Sequence, residues 1–121
     1  MMRVYLTDRD GVGIMRLHGT LGAEDARTLL RSIGGRGNGC FILDFEHVDH
    51  VDYRFFHQLA ASPRGIELLL SGLSDYLIDI FAFAGRRRAL PVYPSWRNAF
   101  RYLMAERGKL VPAAPGGAAG G

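Results

Sequence analysis

The sequence predicts an α/β fold: a mixed five-stranded sheet, an initial hairpin followed by parallel strands, packed against about four helices in the order ββαβαβαβα. Three observations carry this. Two segments of alternating apolar and polar residues flank a turn cluster at the start of the chain. Cys40–Phe45 is a nearly continuous apolar run, the mark of a strand buried on both faces. From there, short apolar runs alternate with segments of helical periodicity.

The elements follow in order. Arg3–Thr7 and Gly13–His18 alternate around the turn cluster Asp8-Arg9-Asp10-Gly11, which predicts a β-hairpin. Gly19 and Gly22 then break the pattern. Glu24–Ile33 reads as a helix with Ala26, Leu29, Leu30 and Ile33 on one face. A glycine-rich loop, Gly34 to Gly39, leads into the central strand. His47–Asp52 reads as a short connection. Tyr53–Ala61 can form a helix capped by Asp52, with Phe55, Phe56 and Leu59 facing inward. Ile66–Ser71 is the next strand. Ser74 caps a helix reaching Ala84, its core face made by Leu77, Ile80, Phe81 and Ala84. Ala89–Tyr93 is a last short strand, and Pro91 predicts that it lies at an edge. Ser95 opens a helix to about Glu106, with Trp96, Ala99, Phe100, Leu103 and Met104 as its buried stripe. The chain of 121 residues thus divides into one domain, 1–108, and a Pro/Ala/Gly-rich tail, 109–121, expected to be disordered.

Composition narrows the function classes. Hydrophobic residues make up 48% of the chain, enough for a proper core. The formal charge of +3 is a mild excess, much of it in Arg86-Arg87-Arg88, and forms no basic stripe of the kind direct nucleic-acid binders carry. Cys40 is the only cysteine, so no internal disulfide forms and a reducing, cytoplasmic setting is expected. The N-terminus lacks the apolar core of a signal peptide. The apolar stretch from Ile66 to Phe83 contains Asp75 and Asp79. Each would cost about 2.5–3.5 kcal/mol at a bilayer centre, so a strand, a turn and a core helix are favoured over a membrane span.

Four strings, taken together, resemble the STAS domain, the family of bacterial anti-sigma factor antagonists and of sulfate-transporter cytoplasmic domains. Gly13–Leu21 looks like the family's second strand and its following turn. Phe41–Asp52 looks like its central strand, ending in one Asp and leading to a second. Leu70–Gly85 looks like its fourth strand and third helix, and Val92–Ala99 like its last strand and helix start. The likeness spans roughly residues 4 to 105 and rests on order and spacing more than on any one string. It implies a non-catalytic regulatory module without cofactor, binding a switch kinase, an anti-sigma factor or another signalling protein. The alternative it implies is a transporter-associated subunit, or a module binding a nucleotide or lipid.

In the resembling family the loop after the second Asp usually reads Asp-Ser-Ser-Gly, and its first Ser (or a Thr) is phosphorylated by the partner kinase. A phosphate there adds roughly −1.5 to −2 charge at a helix N-terminus, enough to make or break an interface. Here the string is Asp52-Tyr53-Arg54-Phe55. Tyr53 takes the serine position, so the phospho-switch is expected to be absent. Asp52, Tyr53, Arg54, His57 and Ile78 are the candidate partner-binding residues. Tyr and Arg are enriched at interface hot spots, and Ile78 lies close to the wet face of its helix.

Other candidates have plainer readings. His47 and His50, near Asp44, Asp49 and Asp52, lack a matched third ligand, so no metal is expected. No Ser or Cys nucleophile sits in a recognisable context for a His–Asp pair, so an enzyme is not expected. The Gly34–Gly39 loop follows a helix and precedes a strand, the wrong order for a phosphate cradle. Arg86–Arg88 is read as closing a helix C-terminus, and Cys40 as a small buried residue.

Overall fold

A computed structural model describes residues 2–36, 39–62, 65–84 and 90–110. The hairpin comes first. β1 (Arg3–Arg9) and β2 (Val12–Leu21) pair antiparallel from Arg3↔His18 to Arg9↔Val12. The two residues between them, Asp10 and Gly11, have φ of 50° and 80°. Positive φ at both positions is what a tight type I′ turn demands, since its twist matches that of the flanking strands. The remaining elements are α1 (Ala23–Gly34), β3 (Gly39–Val51), α2 (Tyr53–Leu59), β4 (Ile66–Ser71), α3 (Asp75–Ala84), β5 (Val92–Tyr93) and α4 (Trp96–Leu110). The sheet order is β1-β2-β3-β4-β5, and every pairing after the hairpin is parallel. The predicted architecture is therefore the observed one, and β5 lies at an edge as Pro91 implied.

Strand parity sorts the core into two layers. Met15, Leu17, Phe41, Leu43, Phe45, Leu68 and Leu70 point to the side covered by α1, α2 and α3. Val12, Ile14, Cys40, Ile42 and Leu69 point the other way, onto Ala99 and Leu103 of α4. Cys40 is buried, and desolvation pushes its thiol up to about 12, with the Glu67 charge adding to the rise. The thiol is inert packing, as the sequence indicated. The helix starts are capped locally. The Asp25 carboxylate accepts from the Gly22 N–H at 2.6 Å, Ser74 Oγ from Leu77 N–H at 3.2 Å and Ser95 Oγ from Asn98 N–H at 3.2 Å.

The structure corrects several boundaries. β2 does not stop at Gly19, which has φ of 96° and sits beside a register shift; the strand bends there and continues to Leu21. The longer β2 gives β3 a partner, and that overturns the reading of His47–Asp52 as a connection. β3 runs on through Val51, with Val48 and Val51 still turned into the core and His47 and His50 exposed. α2 ends at Leu59 rather than Ala61, α4 reaches Leu110 rather than Glu106, and the last strand is only Val92–Tyr93. Arg86–Arg88, part of the glycine-rich loop and the tail from residue 111 lie outside the described residues.

Candidate functional site

The extension of β3 decides where the site lies. Because β3 pairs with β2 as far as Val51, the Asp52 N–H donates to the Leu21 carbonyl at 2.9 Å, anchoring the start of α2 to the end of β2. Asp52 is extended at φ −66°, ψ 131° and caps the helix: its Oδ1 accepts from the Arg54 N–H at 2.9 Å. The same carboxylate holds the Arg54 guanidinium by a fork, Nε to Oδ1 at 3.0 Å and Nη2 to Oδ2 at 2.7 Å. These hydrogen bonds, the side-chain ones foremost, hold the Asp52 carboxyl down at about 2. It is a poor proton acceptor at neutral pH. Its role is to fix Arg54 and the first turn of α2.

Beneath α2, Phe55 and Phe56 are fully buried and stack edge-on with each other at 6.0 Å between ring centroids. Phe56 also meets Phe45 of β3 at 5.6 Å and Phe81 of α3 at 5.1 Å. This aromatic cluster sets the spacing between α2 and α3. Above it, between the end of β3, the start of α2 and the outer stripe of α3, opens a cleft of about 510 Å³. Its walls are His50, Val51, Asp52, Tyr53, Tyr76, Asp79, Ile80 and Phe83. Tyr53 stands edge-on against Phe83 at 5.3 Å, and His50 Nδ1 is hydrogen-bonded to the Tyr76 hydroxyl at 2.6 Å.

The rings stay wet. Tyr53 is 45% exposed, Tyr76 53% and Phe83 76%. These exposed rings gather at one cleft whose rim carries Asp52, Arg54 and Asp79. Among the described residues the cleft is lined by ring surface and by the polar groups of His50, Asp52, Tyr53, Tyr76 and Asp79.

The candidates from the sequence are not all brought together. Asp52 and Tyr53 line the cleft, and Arg54 is tied to its rim through Asp52. His57 is exposed on α2 but does not line it. Ile78 is indeed exposed at 37%, yet it projects about 200° around α3 from Tyr76, away from the cleft. Six residues that wall the cleft were not among the candidates: His50, Val51, Tyr76, Asp79, Ile80 and Phe83, of which Tyr76 and Phe83 supply most of the exposed ring surface. The signal was available: Tyr76, Ile80 and Phe83 recur at i, i+4 and i+7, an apolar line that borders the core face at Ile80 and has Asp79 at i+3. Among the described residues no group of three or more His, Cys, Asp or Glu is placed to hold a metal ion. His47 instead stacks on His18 across the strands at 4.7 Å, with Tyr5 edge-on to His18 at 4.9 Å.

Asp44 sits apart, at the end of the parallel β3–β4 pairing. It is 1% exposed, and its Oδ1 lies 3.3 Å from Ser71 Oγ. Its Oδ2 has no hydrogen-bond partner among the described residues, and the Arg16 guanidinium reaches only to 4.0 Å. Gly72 crosses beside it with φ +70°, where an added Cβ would stand 2.7 Å from Oδ1. Burial raises the Asp44 pKa above 3.8 despite the Ser71 hydrogen bond, and the Glu46 charge raises it further.

The two carboxyls therefore act in opposite senses on stability. Asp52, with its pKa lowered by folding, supplies stability that is complete above 3.8 and lost as pH falls through about 2. Asp44, with its pKa raised by folding, supplies stability that is complete below 3.8 and lost as pH rises through its higher folded value. Urea midpoints followed from about pH 2 to pH 7 should rise first and then decline. Asp52→Asn should flatten the rise, and Asp44→Asn the decline. An Asp44→Asn variant that keeps the wild-type decline would refute the assignment.

Comparison with known proteins agrees with this architecture. A family model described as the STAS domain matches residues 3–99. Among solved structures, a protein of Thermotoga maritima described as a candidate anti-sigma factor antagonist superposes with a TM-score of 0.64 at 15% identity, covering 84% of this chain and 94% of that one. The anti-sigma factor antagonist SpoIIAA in its unphosphorylated form gives 0.53 at 19% identity, covering 86% and 98%. The murine anion transporter Slc26a9, in its inward-facing state, gives 0.66 at 16% identity over 82% of this chain but only 18% of its own. At such identities the superpositions establish the fold alone. No curated protein is similar enough in sequence to be matched.

Proposed function

The chain belongs to the STAS domain family, and from that premise we propose that it is a non-catalytic protein-interaction module of the anti-sigma factor antagonist kind. Its partner is a signalling protein, of the switch-kinase or anti-sigma type. The partner docks on the face made by the start of α2 and the outer stripe of α3. One observation carries this reading: Tyr53, Tyr76 and Phe83 are held wet around an open cleft beside a helix N-terminus that Asp52 and Arg54 lock in place. A large rigid ring ordered before binding loses little entropy on docking, so it is well suited to anchor a partner.

The docking is constitutive. The Asp52-Tyr53-Arg54-Phe55 string contains no serine or threonine. The Asp52–Arg54 fork already occupies the helix start, where a phosphate would otherwise bring its charge.

A second reading has its own support in the superposition on the anion transporter. In it, the same face docks on a membrane transport protein. Among the described residues no helix is long and apolar enough to cross a membrane.

Site-specific photo-crosslinking separates the two. A photoreactive residue at position 83 should capture a discrete signalling protein in cells of the source organism, and one at position 98 on α4 should not. Capture of a transport protein from position 83 would favour the second reading. Capture from position 98 alone would refute the placement of the interface.

A further inference from the structure

The opposite face of the sheet carries a second, smaller pocket that the docking reading does not use. It measures about 270 Å³ and is lined by Arg9, Trp96, Arg97, Phe100 and Arg101. Arg9 comes from the end of β1 and the other four from the first two turns of α4. The Arg97 guanidinium lies 4.7 Å from the Trp96 ring centroid. That of Arg9 lies 5.9 Å from Trp96 and 5.4 Å from Phe100. A guanidinium stacked on a ring is held in position while the N–H groups along its edge remain free to donate.

The charges here are arranged against their own interest. No carboxylate lines the pocket, and among the described residues none of the three arginines pairs with one. Arg97 lies in the first turn of α4, which has no acidic residue; the helix dipole favours an anion there and disfavours a cation. Arg97 and Arg101 are four residues apart on one helix face, a spacing at which like charges destabilise. Trp96, in the pocket wall, has a buried Nε1–H with no acceptor among the described residues. Buried donors are rarely left so. One bound anion would relieve both the helix-dipole and the like-charge conflicts.

We infer that this pocket binds the phosphate group of a small phosphorylated molecule. Three guanidinium forks match the oxygens of a phosphate geometrically. A phosphomonoester's charge of roughly −1.5 to −2 balances the cluster better than a single carboxylate does. A soluble phosphorylated metabolite and a phospholipid headgroup share this chemistry.

The test is a titration of the whole chain with inorganic pyrophosphate at constant ionic strength, followed by the Arg Nε and Trp indole signals in NMR. The Arg9, Arg97, Arg101 and Trp96 signals should shift saturably. The double variant Arg97→Gln/Arg101→Gln should bind at least tenfold more weakly. Its melting temperature without ligand should equal or exceed that of the wild type, because a like-charge pair has been removed. Binding undiminished in the double variant, or a variant destabilised without ligand, would overturn the proposal.

Co-sedimentation with phosphatidylcholine vesicles, with and without phosphatidic acid, assigns the source. Sedimentation that needs phosphatidic acid and Arg97/Arg101 supports a lipid headgroup, whereas pyrophosphate binding without sedimentation supports a soluble ligand. Failure of both pyrophosphate and vesicles to bind refutes the site. The pocket lies across the sheet from the aromatic cleft, so neither result bears on the docking proposal.

Discussion

Replacing Phe56 with alanine should lower the stability of the domain by about 3–5 kcal/mol, the range for losing a buried phenylalanine. Phe56 is 2% exposed and touches three rings on three elements: Phe45 of β3, Phe55 of α2 and Phe81 of α3. The cavity left by its removal is bordered by a central strand that pairs on both sides, so it cannot collapse cheaply. The urea midpoint should fall with little change in the slope of the transition. Phe56→Leu, which keeps most of the volume, should cost markedly less. A Phe56→Ala loss below about 1 kcal/mol, the level of an average point substitution, would mean that α2 and α3 are not joined through this ring. Because Phe56 spaces the two helices that wall the cleft, the variant should also weaken partner binding.

The second large effect concerns binding alone. Phe83→Ala should leave stability within about 0.5 kcal/mol, since an exposed side chain has little packing to lose. It should nevertheless weaken the captured partner by about 2 kcal/mol or more, roughly thirtyfold, as truncation of an aromatic anchor does. The ring is 76% exposed in the free chain, so the surface it loses to water is regained only on docking. It also braces Tyr53 edge-on, so removing it frees the second anchor. Ile78→Ala is the matched control. Ile78 is exposed on the same helix but points away from the cleft, and its loss should leave the affinity unchanged. Calorimetric titration of the partner into the three proteins distinguishes these outcomes. An equal effect from both substitutions would place the interface elsewhere on α3.

The architecture was legible in the sequence because local and long-range preferences agree in it. The hairpin turn, the buried run at Phe41–Phe45 and the amphipathic helices each point to one arrangement, and the order of elements fixes the topology. What escaped were features that depend on a partner strand. His47–Val51 carries exposed histidines and an Asp, and reads as a loop until β2 is seen to extend past Gly19 to pair with it. That extension brings His50 over Tyr76 and creates one wall of the cleft.

The candidate site was legible at its centre and not at its edges. Asp52 stood out as a cap that can be read locally, and Tyr53 and Arg54 through the place they take in the resembling family's loop. The fork between Asp52 and Arg54 spans only two residues but needs side-chain conformers that no sequence pattern specifies. Tyr76 and Phe83 were assigned to neither face of α3, whose core side was read as Leu77, Ile80, Phe81 and Ala84 and whose exposed apolar residue was read as Ile78. In fact only Leu77 and Phe81 of the helix are buried, and Tyr76, Ile80 and Phe83 run along its cleft side. Ile78 was singled out correctly as exposed, but exposure alone does not say which side of a helix it serves.

The central claim is that this face docks a partner constitutively, with no phosphate on the loop that carries the switch in the resembling family. It is tested most directly by measuring the affinity of the captured partner for the chain before and after the two are incubated with magnesium and ATP, together with the intact mass of the chain. The account predicts the same Kd on both occasions and an unchanged mass. A phosphate attached at or near α2, accompanied by a lost or weakened complex, would contradict it.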